Sequence, residues 1–401
     1  MSRARAGCLA CVLGCLVACG GPPGGVCGSG SWRPGSLEIH HFALGQADAT
    51  LLVGPSGRSL LVDVGENGGP SAGGVGVHAG AVQVAEKIER VLGCRRLDAV
   101  LVTHFHLDHV GAVGQGGLWH LVFAQGFEVG RTWHRDLDHF SGVEGPLFAD
   151  WRHLLASAPR ALAPKVIQLG PGQLDLGPGV TTTVVAVDGG AGFRPGAQGF
   201  RPAPPNENDY SVAFTLRFGQ FDYLLGGDLS GELFVAPEST YHDVETTAAR
   251  GLPDIDVYRV NHHGSDHSSN PTWLGQIDPE VAIVSVGAGN SYGHPAAATL
   301  RRLAATGVVY ATSRGATARA ASPRGGPGLP QPIVAGDVVV RCSDGLHYTV
   351  ADDPYLATDP VRQDADRDGY YREVDPDDSD PAVGPLPLGG CEAGVQICPP
   401  P

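Results

Sequence analysis

The stretch Thr103-His104-Phe105-His106-Leu107-Asp108-His109 places three imidazoles and a carboxylate within seven residues. His104 and His106, two apart, turn to one side of an extended segment, while Asp108 and His109 reach past them toward a second divalent ion. One loop does not close a metal site, so partners must arrive from elsewhere in the chain. Tyr223-Leu224-Leu225-Gly226-Gly227-Asp228 runs an apolar strand into a carboxylate. Val260-Asn261-His262-His263-Gly264-Ser265 runs another into paired imidazoles, and Asn290-Ser291-Tyr292-Gly293-His294-Pro295 follows a third. A lone strand-end Asp or His is usually a cap or a satisfied core group. Four such clusters in one chain predict convergence at one rim of the sheets. Their mixture of imidazole nitrogen and carboxylate oxygen suits zinc, and in part manganese or iron.

Strands must deliver those clusters. Leu37–Phe42, Ala49–Val53 and Ser59–Val64 read as successive strands, the last two joined by the turn Gly54-Pro55-Ser56-Gly57. Val82, Ala85, Glu86, Ile88 and Leu92 have helical spacing that stops at Gly93. Leu97–Thr103 is a continuous apolar run, expected of a strand buried on both faces, and it ends at His104. Tyr210–Phe218, Phe221–Leu225, Ile255–Val260 and Val281–Val286 read as further strands, and Ala297–Ala305 as a helix ended by Gly307. Sheet-rich layers with flanking helices predict a four-layer α/β sandwich. Between Gly114 and Gly170 the residues Trp119, His120, Trp133, His134, His139, Trp151 and His153 could either wall the site or pack as core aromatics with surface histidines.

The order His-x-His-x-Asp-His, Gly-Asp-Leu, His-His-Gly-Ser, Tyr-Gly-His-Pro resembles the metallo-β-lactamase fold superfamily. Within it the chain is most similar to the soluble hydrolase domain of ComEC-type DNA-uptake proteins and to related phosphorylcholine esterases. Leu44-Gly45-Gln46-Ala47-Asp48-Ala49 and Leu61-Val62-Asp63-Val64-Gly65 resemble the opening motifs of that branch. The resemblance implies an αββα sandwich over residues 36–350 and two zinc ions. It assigns His104, His106 and one histidine of the His262–His263 pair, with His263 favoured, to the first ion. Asp108, His109 and His294 go to the second, with Asp228 bridging. Asp108, Asp228 and His262 would touch the reacting group, and Asp48 and Asp63 would support the ligands. Asn261, Ser265 and Tyr292, which sit beside ligands, either hold substrate oxygens or are structural. Two ions sharing a carboxylate lower the pKa of a bound water and polarise the scissile bond. The implied reaction is attack of a metal-bound hydroxide on a phosphodiester or phosphoester. The substrate is a small or oligomeric phosphoester, nucleic acid included, and no obligate protein partner is implied. A lactone, thioester or β-lactam hydrolase and a noncatalytic metal-bearing surface scaffold are the alternatives. Two departures stand out: Ala47 replaces a family glycine, and Asn206-Glu207-Asn208-Asp209-Tyr210-Ser211 occupies the place where a third-motif histidine is usual.

Composition agrees with one large loop-rich domain plus appendages, since 401 residues at 42% hydrophobic with 59 Gly and 32 Pro exclude a small disulfide knot or a collagen. The net charge of −15 disfavours a broad cationic surface for nonspecific nucleic-acid binding. Most of that charge lies in residues 351–401, where twelve acidic residues face three arginines. At the other end, Arg3 and Arg5 precede an apolar stretch, Cys8–Ala18, too short to span a bilayer. Leu16-Val17-Ala18-Cys19 resembles a lipobox, so residues 1–18 read as a lipoprotein signal, Cys19 as the lipidated residue and 19–35 as a Gly/Pro-rich tether. The expected location is the bacterial cell envelope, attached through the lipid only, or outside the cell. Cys391 and Cys398 are the expected disulfide, and Cys94, between a helix end and an apolar strand, a buried thiol. In the acidic tail, Asp364, Asp366, Asp368, Tyr370 and Asp375, with Gly369 at the sixth position, match calcium-loop positions 1, 3, 5, 7 and 12.

Overall fold

The computed structural model describes residues 30–66, 78–139, 145–189, 206–232, 234–235, 240–316, 331–360 and 362–385. The signal segment, Cys19 and the Cys391–Cys398 pair lie outside these. Two sheets make the frame. The first has nine strands, in the order Asp353–Leu356, His347–Val350, Val338–Cys342, Leu37–His41, Thr50–Val53, Ser59–Val62, Ala99–Val102, Thr132–His134 and Pro164–Val166. The second has eight, in the order Ile333–Val334, Val308–Ala311, Val281–Val284, Val257–Arg259, Phe221–Leu225, Ala213–Phe218, Val180–Ala186 and Gly170–Pro171.

Strand alternation divides each sheet's apolar residues between two faces. Ile39, Leu52, Leu60 and Leu101 meet Phe214, Leu216, Tyr223 and Ile283 of the other sheet in the central core. Leu51, Val53, Leu61 and Val100 face outward onto the helices Ala79–Leu92 and Pro146–Ser157, through Val84, Ile88, Phe148 and Trp151. The outer face of the second sheet is covered by Glu245–Ala249, Pro271–Ile277 and Ala297–Thr306, through Ala248, Trp273, Ile277 and Leu303. The layers therefore run helix, sheet, sheet, helix. Both indoles Trp133 and Trp151 are buried in these cores, so the Trp/His-rich segment is packing.

Two details connect the frame to the ligand loop. The helix Ala79–Leu92 ends where Gly93 adopts φ 73° and its N–H bonds Glu89 O at 2.8 Å, a conformation that costs glycine little. At its start the Glu66 carboxylate accepts from Gly80 N and Ala81 N at 2.9 and 3.0 Å, and also from Gly117 N at 2.9 Å. Unpaired helix N–H groups are thereby satisfied, and the segment after the ligand loop is tied to the same carboxylate.

Two sequence expectations change. Cys94 is disulfide-bonded rather than a buried thiol. It is half-buried just after a helix terminus, within reach of a partner, and that partner lies outside the described residues. The free thiol among the described residues is the buried Cys342. The body also runs past residue 350, because His347–Val350 pairs antiparallel with Asp353–Leu356. The acidic segment beyond it is docked: Tyr370 is buried and its hydroxyl donates to Thr246 O at 2.9 Å, while Gly251 N donates to Gly369 O at 2.6 Å. No helix among the described residues is long and apolar enough to cross a membrane.

Candidate metal centre

Each cluster singled out in the sequence sits just beyond a strand end, and all of them meet at one rim of the two sheets. Ala99–Val102 releases Thr103 and His104, and the short helix Leu107–Val110 carries Asp108 and His109. The indole of Trp151 donates to Gly111 O at 2.9 Å and pins the end of that helix. Phe221–Leu225 leads to Asp228, and Val257–Arg259 leads to the turn Asn261–Gly264. In that turn His262 and His263 have φ of 49° and 51°, two successive non-glycine residues in the left-handed region. Such backbone costs on the order of 1–3 kcal/mol per residue and persists where the surroundings over-determine it. Here the surroundings are specific: His262 N bonds Gly227 O at 3.1 Å, Asn261 N bonds the Tyr258 hydroxyl at 2.9 Å, and Ala296 N bonds Gly264 O at 2.7 Å.

Asp228 lies among four imidazoles. His109 Nε2 is 3.2 Å from its Oδ1, and His104, His262 and His263 Nε2 are 3.9, 3.8 and 3.9 Å from its Oδ2. His263 Nε2 is also 3.3 Å from Asp108 Oδ2, and His106 Nδ1 is 3.1 Å from His104 Nε2. Single ligand atoms of Asp48, His109, Asp228 and His263 all lie within 4.8 Å of one another. Asp48 Oδ1, His109 Nε2, Asp228 Oδ1 and His263 Nε2 are buried without a well-formed hydrogen bond. An orphaned buried polar atom costs about 1–3 kcal/mol, so four facing atoms of this kind fit a cation held between them.

Electrostatics point the same way. Burial disfavours charge on Asp228, but His109, His263 and His262 outweigh it and hold the carboxyl well below its usual range. Burial also opposes the His109 cation, yet Asp228 and Asp63 lift that imidazole well above its ordinary value. Burial keeps His104 neutral, helped by His109 and His106, and brings His262 down to about 3 and His294 to about 4. Neutral His104, His262 and His294 beside an ionised Asp228 are in the states a metal requires, whereas His109, lifted by Asp228 and Asp63, would give up its proton to an ion.

Supporting contacts fix the rings. Asp63 Oδ2 meets His109 Nδ1 at 2.8 Å, and the same carboxylate accepts from Thr103 N at 2.8 Å and Thr103 Oγ1 at 2.7 Å. Ser285 O meets His263 Nδ1 at 2.9 Å. The buried guanidinium of Arg259 pairs with Asp48 and donates to Gly227 O at 3.0 Å and Val260 O at 2.8 Å. Outer contacts of the Asp63 kind commonly tune metal affinity 10–100-fold. Asp63→Asn should therefore lower metal affinity by about that factor in chelator competition while the fold is retained. Unchanged affinity would remove Asp63 from this role.

The segment in place of a third-motif histidine supports the site from below. Glu207 Oε1 accepts from Phe105 N at 2.9 Å, between the two ligand histidines, and its carboxylate takes Arg135 Nε at 2.9 Å and Nη2 at 2.6 Å. Asn208 Nδ2 is 3.2 Å from His262 Nε2, and Ser211 Oγ accepts from Asp228 N at 3.1 Å. Nothing in the sequence marked Glu207 or Arg135 beyond their place in or near that unusual stretch.

Both histidines of the pair reach the site: His263 Nε2 is 3.3 Å from Asp108 Oδ2 and 3.9 Å from Asp228 Oδ2, and His262 Nε2 is 3.8 Å from Asp228 Oδ2. The ring of His294 lies 5.5 Å from His262 and 6.3 Å from His263, outside the tight group. Asn261 does not reach substrate: it is fully buried and its amide donates to Glu245 Oε1 at 2.8 Å. Ser265 and Tyr292 do line the cavity, Tyr292 at 70% exposure, although Ser265 Oγ already accepts from His267 N at 3.3 Å. The cavity holds about 450 Å³ above Asp228, walled by Gln46, His106, Tyr241, His262, His267 and His294.

Four layers, helix, sheet, sheet, helix, with candidate metal-ligating loops at one rim make the metallo-β-lactamase fold. In sequence the chain is similar to ComE operon protein 3 of Bacillus subtilis (strain 168), 24% identical over 269 residues, which is 64% of this chain and 29% of that protein. It is also similar to Recombination protein 2 of Haemophilus influenzae, 33% identical over 97 residues, 24% of this chain and 11% of that one. The chain thus spans well under two thirds of the curated relatives it matches. No family model matches. Solved structures that resemble it include the metallo-beta-lactamase fold protein YhfI of Bacillus subtilis, at 14% identity and TM-score 0.37 over 69% of this chain and 96% of that one. Zn(2+)-bound PqqB of Methylobacterium extorquens stands at 14% identity and TM-score 0.38, over 68% and 97%. Scores this low add nothing to what topology and site already establish.

Proposed function

We propose that the chain is a dinuclear metal-dependent hydrolase of phosphodiester or phosphoester bonds. The observation that carries this reading is Asp228 standing among four imidazoles at an open cavity. His104, His106 and His262 would hold one ion and Asp108, His109 and His263 the other, with Asp228 between; zinc suits this donor set. Bound ions would supply a nucleophile at neutral pH and neutralise charge on the scissile group. Asp63 and Ser285 O keep His109 and His263 in one orientation. His294 and Tyr292, with rings 5.8 Å apart and stacked, line the cavity where the non-reacting part of a substrate would rest. Assay of the zinc- or manganese-loaded chain on a chromogenic phosphodiester and a chromogenic lactam tests the reading. Turnover of the diester is expected, whereas turnover of the lactam alone, or of neither, would overturn it.

We also propose that the docked acidic segment binds calcium through Asp364, Asp366, Asp368, Asp375 and the Tyr370 carbonyl. Carboxylate oxygens of Asp366, Asp368 and Asp375 lie within 4.8 Å of one another, as do those of Asp364, Asp366 and Asp378. Gly369, at φ 100°, makes the bend and donates to Asp364 Oδ2 at 3.1 Å. Calorimetric titration of the full chain should show calcium binding at micromolar to millimolar concentration, and about 2.7 kcal/mol of added stability at one hundred times Kd. Absence of both heat and stabilisation at millimolar calcium would remove the proposal.

A further inference from the structure

Besides His294, one further imidazole in the cavity is assigned to neither ion. His267 lines it four residues beyond His263, and its ring is oriented on every side. Its Nδ1 is hydrogen-bonded to Glu232. Phe234 stacks on it at 4.4 Å and an interplanar angle of 28°, and Tyr241 at 5.5 Å and 17°. Its backbone is held at both ends, N to Ser265 Oγ at 3.3 Å and O by Gly231 N at 2.7 Å. Nε2 takes no hydrogen bond among the described residues; Asp266 Oδ1, on an exposed side chain, is 3.8 Å away. The Tyr241 ring, 6.0 Å from His262, places this arrangement directly beside the ligands without His267 being one of them.

A carboxylate on one ring nitrogen fixes the ring's orientation and leaves the other nitrogen to deliver a proton. Hydrolysis of an ester with a poor leaving group needs such a donor, because bound cations stabilise incoming and phosphoryl oxygens more readily than they protonate a departing alkoxide. We propose that His267, positioned by Glu232, is the general acid of the reaction. This rests on the hydrolase reading above. As the bond between phosphorus and the leaving oxygen breaks, its electron pair goes to that oxygen, which takes the proton from His267 Nε2. Water provides the oxygen of the new bond to phosphorus, and the proton it loses restores the imidazolium through solvent. The titratable groups facing His267 are Glu232, Asp266 and Tyr241. The substrates favoured are therefore esters of alcohols or phenols that leave poorly without protonation.

The test is a comparison of methyl phenyl phosphate with methyl 4-nitrophenyl phosphate, which differ only in how much the leaving oxygen needs a proton. His267→Gln should lose about 100-fold in kcat/KM on the phenyl ester, and about tenfold less on the nitrophenyl ester. Glu232→Gln should show the same split at smaller amplitude, while metal content and thermal melting stay at wild-type values in both. Equal losses on the two esters, or none, would overturn the assignment of His267. A wild-type chain that cleaves neither ester would instead sink the hydrolase reading, so the two failures are distinguishable.

Discussion

Asp228→Asn should reduce hydrolysis by about 1,000-fold or more and leave a folded protein with less than the full complement of metal. The carboxylate stands within 3.2–3.9 Å of four imidazole nitrogens from two segments, those of His104, His109, His262 and His263. An amide keeps the volume but loses the charge that makes those four rings compatible at close quarters. Because Asp228 sits beyond a strand end rather than within the core, the sheets do not depend on it. The measurement is metal analysis by mass spectrometry beside the phosphodiester assay. Wild-type metal content together with wild-type turnover would refute the two-ion arrangement.

Glu207→Ala is expected to have the largest effect on stability, about 3 kcal/mol or more. Arg135 is fully buried, with its guanidinium 4.9 Å from the Phe148 and Tyr210 ring centres, and the substitution removes the carboxylate that takes two of its N–H groups. Loss of that partner leaves a buried cation poorly compensated, which costs more than the pair itself contributes. It also frees Phe105 N, so the spacing of His104 and His106 loosens and metal affinity falls. Glu207→Gln keeps an acceptor for Phe105 N and should lie between. Denaturant midpoints of the three proteins decide the matter; coincident curves would sink it.

Much of this molecule is legible in its residues, and the reasons are local. Leu37, Ala49 and Phe221 head runs of five mostly alternating or apolar residues, and strands formed there at Leu37–His41, Thr50–Val53 and Phe221–Leu225. Gly93 marked a true helix end. By contrast, Val180–Ala186 is strand although it carries three successive threonines, because pairing with Ala213–Phe218 decides its state. The expected strand start at Tyr210 fails for a related reason: Glu207–Tyr210 makes a single 3-10 turn capped by the Asn206 side chain. At the site, the identities of ligand candidates were readable because His and Asp at strand ends are chemically conspicuous. Their grouping was not. Which of His262 and His263 meets Asp108 depends on two left-handed backbone positions, and sequence spacing carries no trace of them. The Arg135–Glu207 pair was hidden too, since a buried arginine among aromatic rings has no signature in the primary structure.

The first strand, Leu37–His41, has its neighbours at opposite ends of the chain. On one side it pairs with Thr50–Val53, and on the other with Val338–Cys342, Leu37 opposite Cys342. During synthesis, Leu37 and Ile39 emerge early and one edge of their strand must wait for about 300 more residues. At roughly 5–20 residues per second that delay is about 15–60 s. Pairings so distant are also slow to form once the chain is complete. The nine-stranded sheet is thus completed last across its oldest strand. Chains halted before Val338 should remain protease-sensitive at any time after synthesis, and early protease resistance in such chains would contradict this order of events.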